Sequence, residues 1–148
     1  MAIKNVVKIW DKGEISEKNT KFLKLKTKEV TFPVSNFIKN IIQDLIDTYK
    51  AISCAGIAAN QIGYDYQIFI GIKTIVDEAE SKEIEKIESS SSIIVTENPY
   101  KDNYEIYINP KIDKIDNKSI KIDEEGCLSI PGLLVERERY NKIKVRYY

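Results

Sequence analysis

Apolar side chains recur with a helical period in one stretch of the chain, residues 37–52. Steps of three and four residues place them on one face of an α-helix, opposite charged and amide side chains. The apolar set is Ile38, Ile41, Ile42, Leu45, Ile46, Tyr49 and Ile52. Ser35 precedes the stretch, and its hydroxyl can accept a hydrogen bond from an N–H of the first turn. We therefore predict an amphipathic scaffold helix over 37–52.

The rest of the chain favours short β-strands. Residues 66–72 form an apolar run typical of a buried strand, and similar segments lie at 92–96, 105–108, 119–122, 133–136 and 142–147. Asn-Pro, Asp-Asn and Pro-Gly pairs separate several of them, as at turns. The sequence predicts a single α+β domain over residues 1–148, with short and mostly antiparallel strands around one amphipathic helix. A charged stretch at 77–88, followed by four serines at 89–92, is interpreted as a solvated insertion in that domain.

Composition excludes several kinds of site. The chain contains no histidine, so a Ser-His-Asp triad, a Cys-His dyad and a histidine metal site cannot form within these residues. Equal numbers of basic and acidic side chains, 23 of each, give no electrostatic reason to expect nucleic acid or a membrane surface as partner. No long apolar run or secretory signal is evident, so we expect a cytoplasmic protein whose two cysteines are free thiols.

Two segments could carry chemistry. In residues 56–61, a glycine and two alanines lead to Gln61, whose amide could donate to a developing oxyanion. Tight packing between a helix and a strand explains the same small residues equally simply. In residues 124–132, Cys127 could be a nucleophile or a metal ligand. A nucleophile would lack a histidine base, and the spacing of Cys127 from Cys54 matches no recognised zinc pattern.

Taken together, the two segments resemble the signatures of the peptide deformylase family. Residues 54–61 read CAGIAANQ, which follows the family's first motif except that Cys54 stands in place of its leading glycine. Residues 125–129 read EGCLS, which is the family's second motif intact, and Ile130 and Pro131 continue it. The resemblance extends from about residue 37 to residue 148. It implies the removal of the formyl group from the N-terminal formyl-methionine of nascent proteins.

The resemblance also implies roles for individual residues. Cys127 would be a metal ligand, for ferrous iron or for zinc or nickel in its place. The side chain of Gln61 and the backbone N–H of Leu128 would polarise the formyl carbonyl. The other implied residues shape the cysteine loop or line the groove in which the peptide adds as a strand: Gly56, Ile57, Glu125 and Gly126. Leu128 would also touch the methionine pocket.

The family's third motif, H-E-x-x-H on a C-terminal helix, is missing from this sequence. In the family it supplies two imidazole ligands and the glutamate base, so we expect these 148 residues to be inactive alone and to bind no metal tightly. Several explanations stay open: a truncated deformylase, a pseudoenzyme that grips peptide N-termini or a protein, or a fragment completed by another chain or an oligomer mate. An α+β domain with an unrelated role is the remaining alternative. Without the helix, apolar surface should be exposed.

Overall fold

The amphipathic helix expected from the periodic pattern is present at Asn36–Ala51 in a computed structural model, which describes residues 2–73, 97–116 and 118–148. Ser35 caps it, with the Ile38 N–H donating to the Ser35 hydroxyl over 3.3 Å. Leu45 and Tyr49 on its apolar face are completely buried. The predicted helix and its cap are confirmed.

Nine strands and two α-helices form in the described residues. The helices are α1, Glu17–Leu23, and α2, Asn36–Ala51. The strands are β1 Trp10–Asp11, β2 Glu14–Ile15, β3 Gly56–Ala58, β4 Ile68–Ile72, β5 Tyr104–Ile108, β6 Lys111–Ile115, β7 Ile120–Cys127, β8 Ile130–Tyr140 and β9 Ile143–Arg146. They pair antiparallel as β1-β2, β3-β4-β5, β6-β9 and β7-β8. The predicted α+β class is confirmed.

A second, shorter helix, α1, also forms, and the sequence analysis did not predict it. Its seven residues, EKNTKFL, carry too few apolar side chains to produce a periodic stripe, and none of them is buried. Ser16 is the sequence signal for this helix, since its hydroxyl accepts from the Asn19 N–H over 3.2 Å.

The long hairpin of β7 and β8 differs from the short strands predicted at 119–122 and 133–136. Both strands extend further, and a two-residue turn at 128–129 joins them. The break predicted at Pro131 and Gly132 is instead an irregularity within β8, where Gly132 has a φ of 80°. Glu125 and Gly126 therefore lie on a strand and not in the loop that the sequence suggested. The strand predicted at 92–96 and the insertion at 77–92 lie outside the described residues.

The core lies between α2 and the sheet β3-β4-β5. Apolar side chains of β3 and β4 face the helix, and Ile57, Ile68 and Ile70 are at most 2% exposed. Burial of such side chains is the main favourable contribution to folding. This packing fixes the position of segment 54–61, several residues of which line a groove at the surface.

The remaining strands connect to this core through a few backbone hydrogen bonds. Tyr148, just after β9, exchanges two with Ile108 at the end of β5, with N···O distances of 3.0 and 3.1 Å. Large apolar side chains on β6 to β9 are nevertheless exposed, as the sequence led us to expect: Ile112, Ile115, Ile120, Ile122, Leu133, Leu134, Val135, Tyr140 and Ile143. Among the described helices, none is long and apolar enough to cross a membrane.

Candidate active site

Strand β3 forms one border of the candidate site and can contain only glycine at its first position. A Cβ atom built on Gly56 would lie 2.9 Å from the carbonyl oxygen of Ile70 on β4, closer than real Cβ contacts. Gly56 thus allows close packing of β3 against β4, whereas the sequence interpretation proposed packing between a helix and a strand. Tight packing is compatible with a role in binding, because β3 is also the outer strand of its sheet.

The hydrogen-bond pattern determines which backbone groups of β3 face outwards. The Ile72 N–H donates to the Ala55 carbonyl over 3.0 Å, and Ile57 pairs with Ile70 in the same register. In an antiparallel pair, alternate residues turn their N–H and C=O groups away from the partner strand. The backbone groups of Gly56 and Ala58 therefore point to the open edge of the sheet.

Gln61 lies just beyond this edge, in a single 3₁₀ turn at Ala59–Ile62 that Gly63 ends with a φ of 92°. The oxygen of its side chain, Oε1, accepts from the Ala58 N–H over 3.0 Å. This bond fixes the orientation of the amide, so that Nε2 points to the second motif. Nε2 lies 3.2 Å from the Ser129 hydroxyl and 3.8 Å from the Cys127 sulfur.

The second motif presents its cysteine where β7 ends. Cys127 is exposed, whereas Ser129, two residues later in the turn, is 2% exposed. Leu128 between them packs against the hydrophobic core and so fixes the turn. On β7, Glu125 forms a bidentate ion pair with Arg139 of β8, with both N···O distances 2.6 Å. This partner, chiefly through its hydrogen bond, lowers the pKa of Glu125.

The structure thus brings together the residues that the sequence singled out. Gln61, Cys127, Leu128, Gly56 and Gly126 border one groove of about 1830 Å³. Ile57 is buried beneath its floor, and Glu125 lies on the hairpin beside it.

The amino-terminal segment forms another wall of the groove, which sequence reasoning did not find. The Val7 N–H donates to the Gln61 carbonyl and the Ile9 N–H to the Ser129 carbonyl, both over 2.7 Å. Ser129 was also missed as a partner of Gln61, although it belongs to the EGCLS motif. For Val7 and Ile9, no local sequence signal exists, because they act through backbone N–H groups.

Cys54 lines the same groove and is half-buried. Burial raises the pKa of its thiol to about 11, against a smaller lowering by the backbone N–H of Gly56. A thiol of this kind stays protonated near neutral pH and is a poor metal ligand, since ligation requires the thiolate.

A metal ion would require more ligands than the described residues bring together. Protein metal sites of the zinc or iron type use at least three side chains. Within the described ranges, no group of three or more histidine, cysteine, aspartate or glutamate side chains is arranged to hold a metal ion. Cys127 can supply one thiolate, so the described residues do not fit a complete metal site.

Comparison with known proteins gives consistent matches. The family profile described as polypeptide deformylase matches residues 12–148. A peptide deformylase of Elusimicrobium minutum is 34% identical over 148 residues, covering 98% of this chain and 67% of that protein. A peptide deformylase of Chloroflexus aurantiacus is 31% identical over 132 residues, covering 89% of this chain and 61% of that protein. The crystal structure of peptide deformylase from Thermotoga maritima has a TM-score of 0.68 at 24% identity, covering 99% of this chain and 74% of that one.

These matches begin well before residue 37, where the sequence analysis placed the start of the resemblance. The family profile begins at residue 12, so that expectation was too narrow. The opening residues carry no recognisable motif, because they contribute through backbone hydrogen bonds. The chain spans about three fifths of the Chloroflexus protein, 61% of its length.

Proposed function

The chain belongs to the polypeptide deformylase family, and from that premise we propose that its groove binds the formyl-methionyl end of a nascent peptide and polarises the formyl carbonyl. The observation that carries this proposal is the fixed amide of Gln61. Its Nε2 lies 3.2 Å from the Ser129 hydroxyl and 3.8 Å from the Cys127 sulfur, next to the open edge of β3. A donor that is already oriented stabilises developing negative charge without reorganisation.

Each residue would have a defined task. The peptide backbone would add to β3 as a further strand, bonding the outward groups of Gly56, with Ile57 holding the strand to the core. The amide of Gln61 and the backbone N–H of Leu128 would hold the carbonyl oxygen. Cys127 would provide one metal ligand. Glu125 and Gly126 would support the strand that carries it.

Hydrolysis requires groups that these residues do not contain. The family's two imidazole ligands and glutamate base cannot be reproduced by a sequence without histidine. A second copy of the same 148 residues would not supply them either, since it has no histidine. Deformylation would therefore depend on residues outside this sequence, in a longer chain or in a different one. Without them, the groove would bind peptide N-termini without cleaving them.

Binding of formyl-Met-Ala-Ser, compared with the unformylated peptide, tests the proposal by calorimetry. We expect the formylated peptide to bind more tightly than the unformylated one. Gln61→Ala should lower the affinity for the formylated peptide about tenfold, which corresponds to the loss of one good hydrogen bond. Gln67→Ala is the matched control, because Gln67 does not line the groove and its side chain donates to the Thr27 carbonyl over 3.1 Å. Equal affinity for the two peptides, or no binding at millimolar concentration, would refute the proposal.

Metal content and turnover separate binding from catalysis. We expect the purified chain, loaded with iron under anaerobic conditions, to retain well below one metal ion per chain and to release no formate. Retention of about one tightly bound ion per chain together with formate release would show that the described residues and their surroundings complete the site after all.

A further inference from the structure

The amino-terminal segment is bonded to helix α2 near its start and to the two motifs near its end. Near its start, the Ala2 N–H donates to the Asp44 carboxylate over 2.7 Å and the Lys4 N–H to the Thr48 hydroxyl over 2.9 Å. Near its end, Val7 bonds Gln61 and Ile9 bonds Ser129. Residues 2–9, here called the strap, therefore run from helix α2 to both sides of the candidate site.

Asp44 is the anchor of the strap and is 3% exposed. Besides the Ala2 N–H, its carboxylate accepts from the Tyr64 hydroxyl over 2.6 Å and lies 3.4 Å from the Lys4 ammonium. Burial alone would raise the pKa of this carboxyl, but its hydrogen bonds, first that from Tyr64, together with the charge of Lys4 more than offset burial and hold the pKa well below its ordinary value. Asp44 is therefore ionised, and a buried carboxylate keeps its partners because losing them is costly.

Tyr64 connects the anchor directly to the turn that carries Gln61. The Tyr64 N–H donates to the Ala59 carbonyl over 2.9 Å, across the 3₁₀ turn. The turn that carries Gln61 is thus held at two points, at the Ala59 carbonyl by Tyr64 and at the Gln61 carbonyl by Val7 of the strap. Both paths lead back to one carboxylate on α2.

We propose that Asp44 is a positioning residue, which acts through the strap and Tyr64 to hold Gln61 opposite Cys127. The inference rests on the role proposed for Gln61. Asp44 itself touches neither the groove nor the proposed substrate. A buried carboxylate on a scaffold helix thereby sets the geometry of a site formed by two distant motifs.

The proposal is tested by Asp44→Asn, which keeps the shape of the side chain but removes its charge and one acceptor. We expect the side-chain amide resonances of Gln61 in ¹⁵N NMR spectra to move, and formyl-Met-Ala-Ser affinity to fall about tenfold. Asp47→Asn is the control, because Asp47 lies one turn further along α2 and bonds Gln43 over 2.8 Å. It should leave both readouts unchanged.

A double-variant cycle separates positioning from general stability. If Asp44 acts through Gln61, Asp44→Asn should cause no further loss of affinity in a Gln61→Ala background. A further tenfold loss there would overturn the proposal, as would unmoved Gln61 resonances in a folded Asp44→Asn protein.

Val7→Pro provides a second route if Asp44→Asn does not fold. It removes the one N–H that the strap donates to Gln61 and leaves Asp44 intact. The Gln61 resonances should move here too, and their constancy would overturn the proposal. If the wild-type chain binds no formyl peptide, the proposed function fails, whereas the NMR comparison still decides whether Asp44 positions Gln61.

Discussion

Two regions of the molecule use their apolar residues in opposite ways. In the first, helix α2 covers the sheet β3-β4-β5, and Leu45, Tyr49 and Ile70 are fully buried. In the second, strands β6 to β9 pair with each other but present their apolar side chains to the surface. Leu134, for example, is 63% exposed.

The second region has apolar faces that no other described element covers. Ile112 pairs across the strands with Val145, and Ile115 with Ile143, so these side chains share a face. Isolated two-stranded pairs are marginally stable in water. The first region therefore determines the stability of the fold, and the second depends on its attachment to it. The candidate site lies where they meet, since Gln61 comes from the first region and Cys127 from the second.

The largest expected difference concerns matched leucines in the two regions. Leu45→Ala should lower the free energy of unfolding by about 2–5 kcal/mol, because it leaves a cavity in the packed core. Leu134→Ala should change it by less than about 0.5 kcal/mol, because Leu134 is already 63% exposed. Urea unfolding of both variants measures the difference.

Equal losses for the two leucines would contradict the comparison. They would mean that the face of Leu134 is covered in solution, and sedimentation of the wild-type chain would then identify a second copy as the cover. A single-species monomer with a costly Leu134→Ala would show instead that the hairpin packs differently.

The sequence predicted the first region better than the second, for a physical reason. The stripe that includes Ile38 and Leu45 reports burial on one side, so α2 was predicted within one residue at each end. In β8, by contrast, residues 136–139 read Glu-Arg-Glu-Arg, and a strand whose outer half is charged on both faces lacks the alternation that signals a strand. Its length was therefore underestimated.

The sequence identified the main residues of the candidate site but not the residues that hold them in place. The two motifs identified Gln61 and Cys127, which are 66 positions apart, through a family resemblance. Asp44 reads in sequence as one more polar residue on the outer face of α2, although it is buried. Contacts made by backbone N–H groups, such as that of Val7, leave no trace in residue identity.

The two cysteines, one in each region, should also differ in reactivity. Burial raises the pKa of Cys54 from 9.0 to about 11, so at pH 8 it carries about a hundredfold less thiolate than an ordinary cysteine. Cys127 is exposed. Iodoacetamide should therefore label Cys127 first and Cys54 slowly, which mass spectrometry of the digested protein measures.

The same shift gives a pH dependence of stability. Because the folded-state pKa of Cys54 is raised, its contribution is fully present below about pH 9 and is lost as the pH rises through about 11. Cys54→Ala should flatten this alkaline decline.

Labelling of both thiols at one rate would show that the segment before β3 opens readily, and the burial contrast between the regions would then be wrong in solution.

The smallest expected effect concerns the connection between α2 and β3. The buried side chain of Asn98 donates to the carbonyls of Tyr49 and Cys54 over 2.9 and 3.0 Å, so it joins the end of the helix to the start of the site segment. Asn98→Ala leaves these carbonyls without this donor and should cost about 1–3 kcal/mol in urea unfolding. Asn103→Ala, at an exposed position nearby, is the control and should be close to neutral. If both variants are neutral, water replaces the amide, and the junction between core and site is looser than the hydrogen bonds of Asn98 indicate.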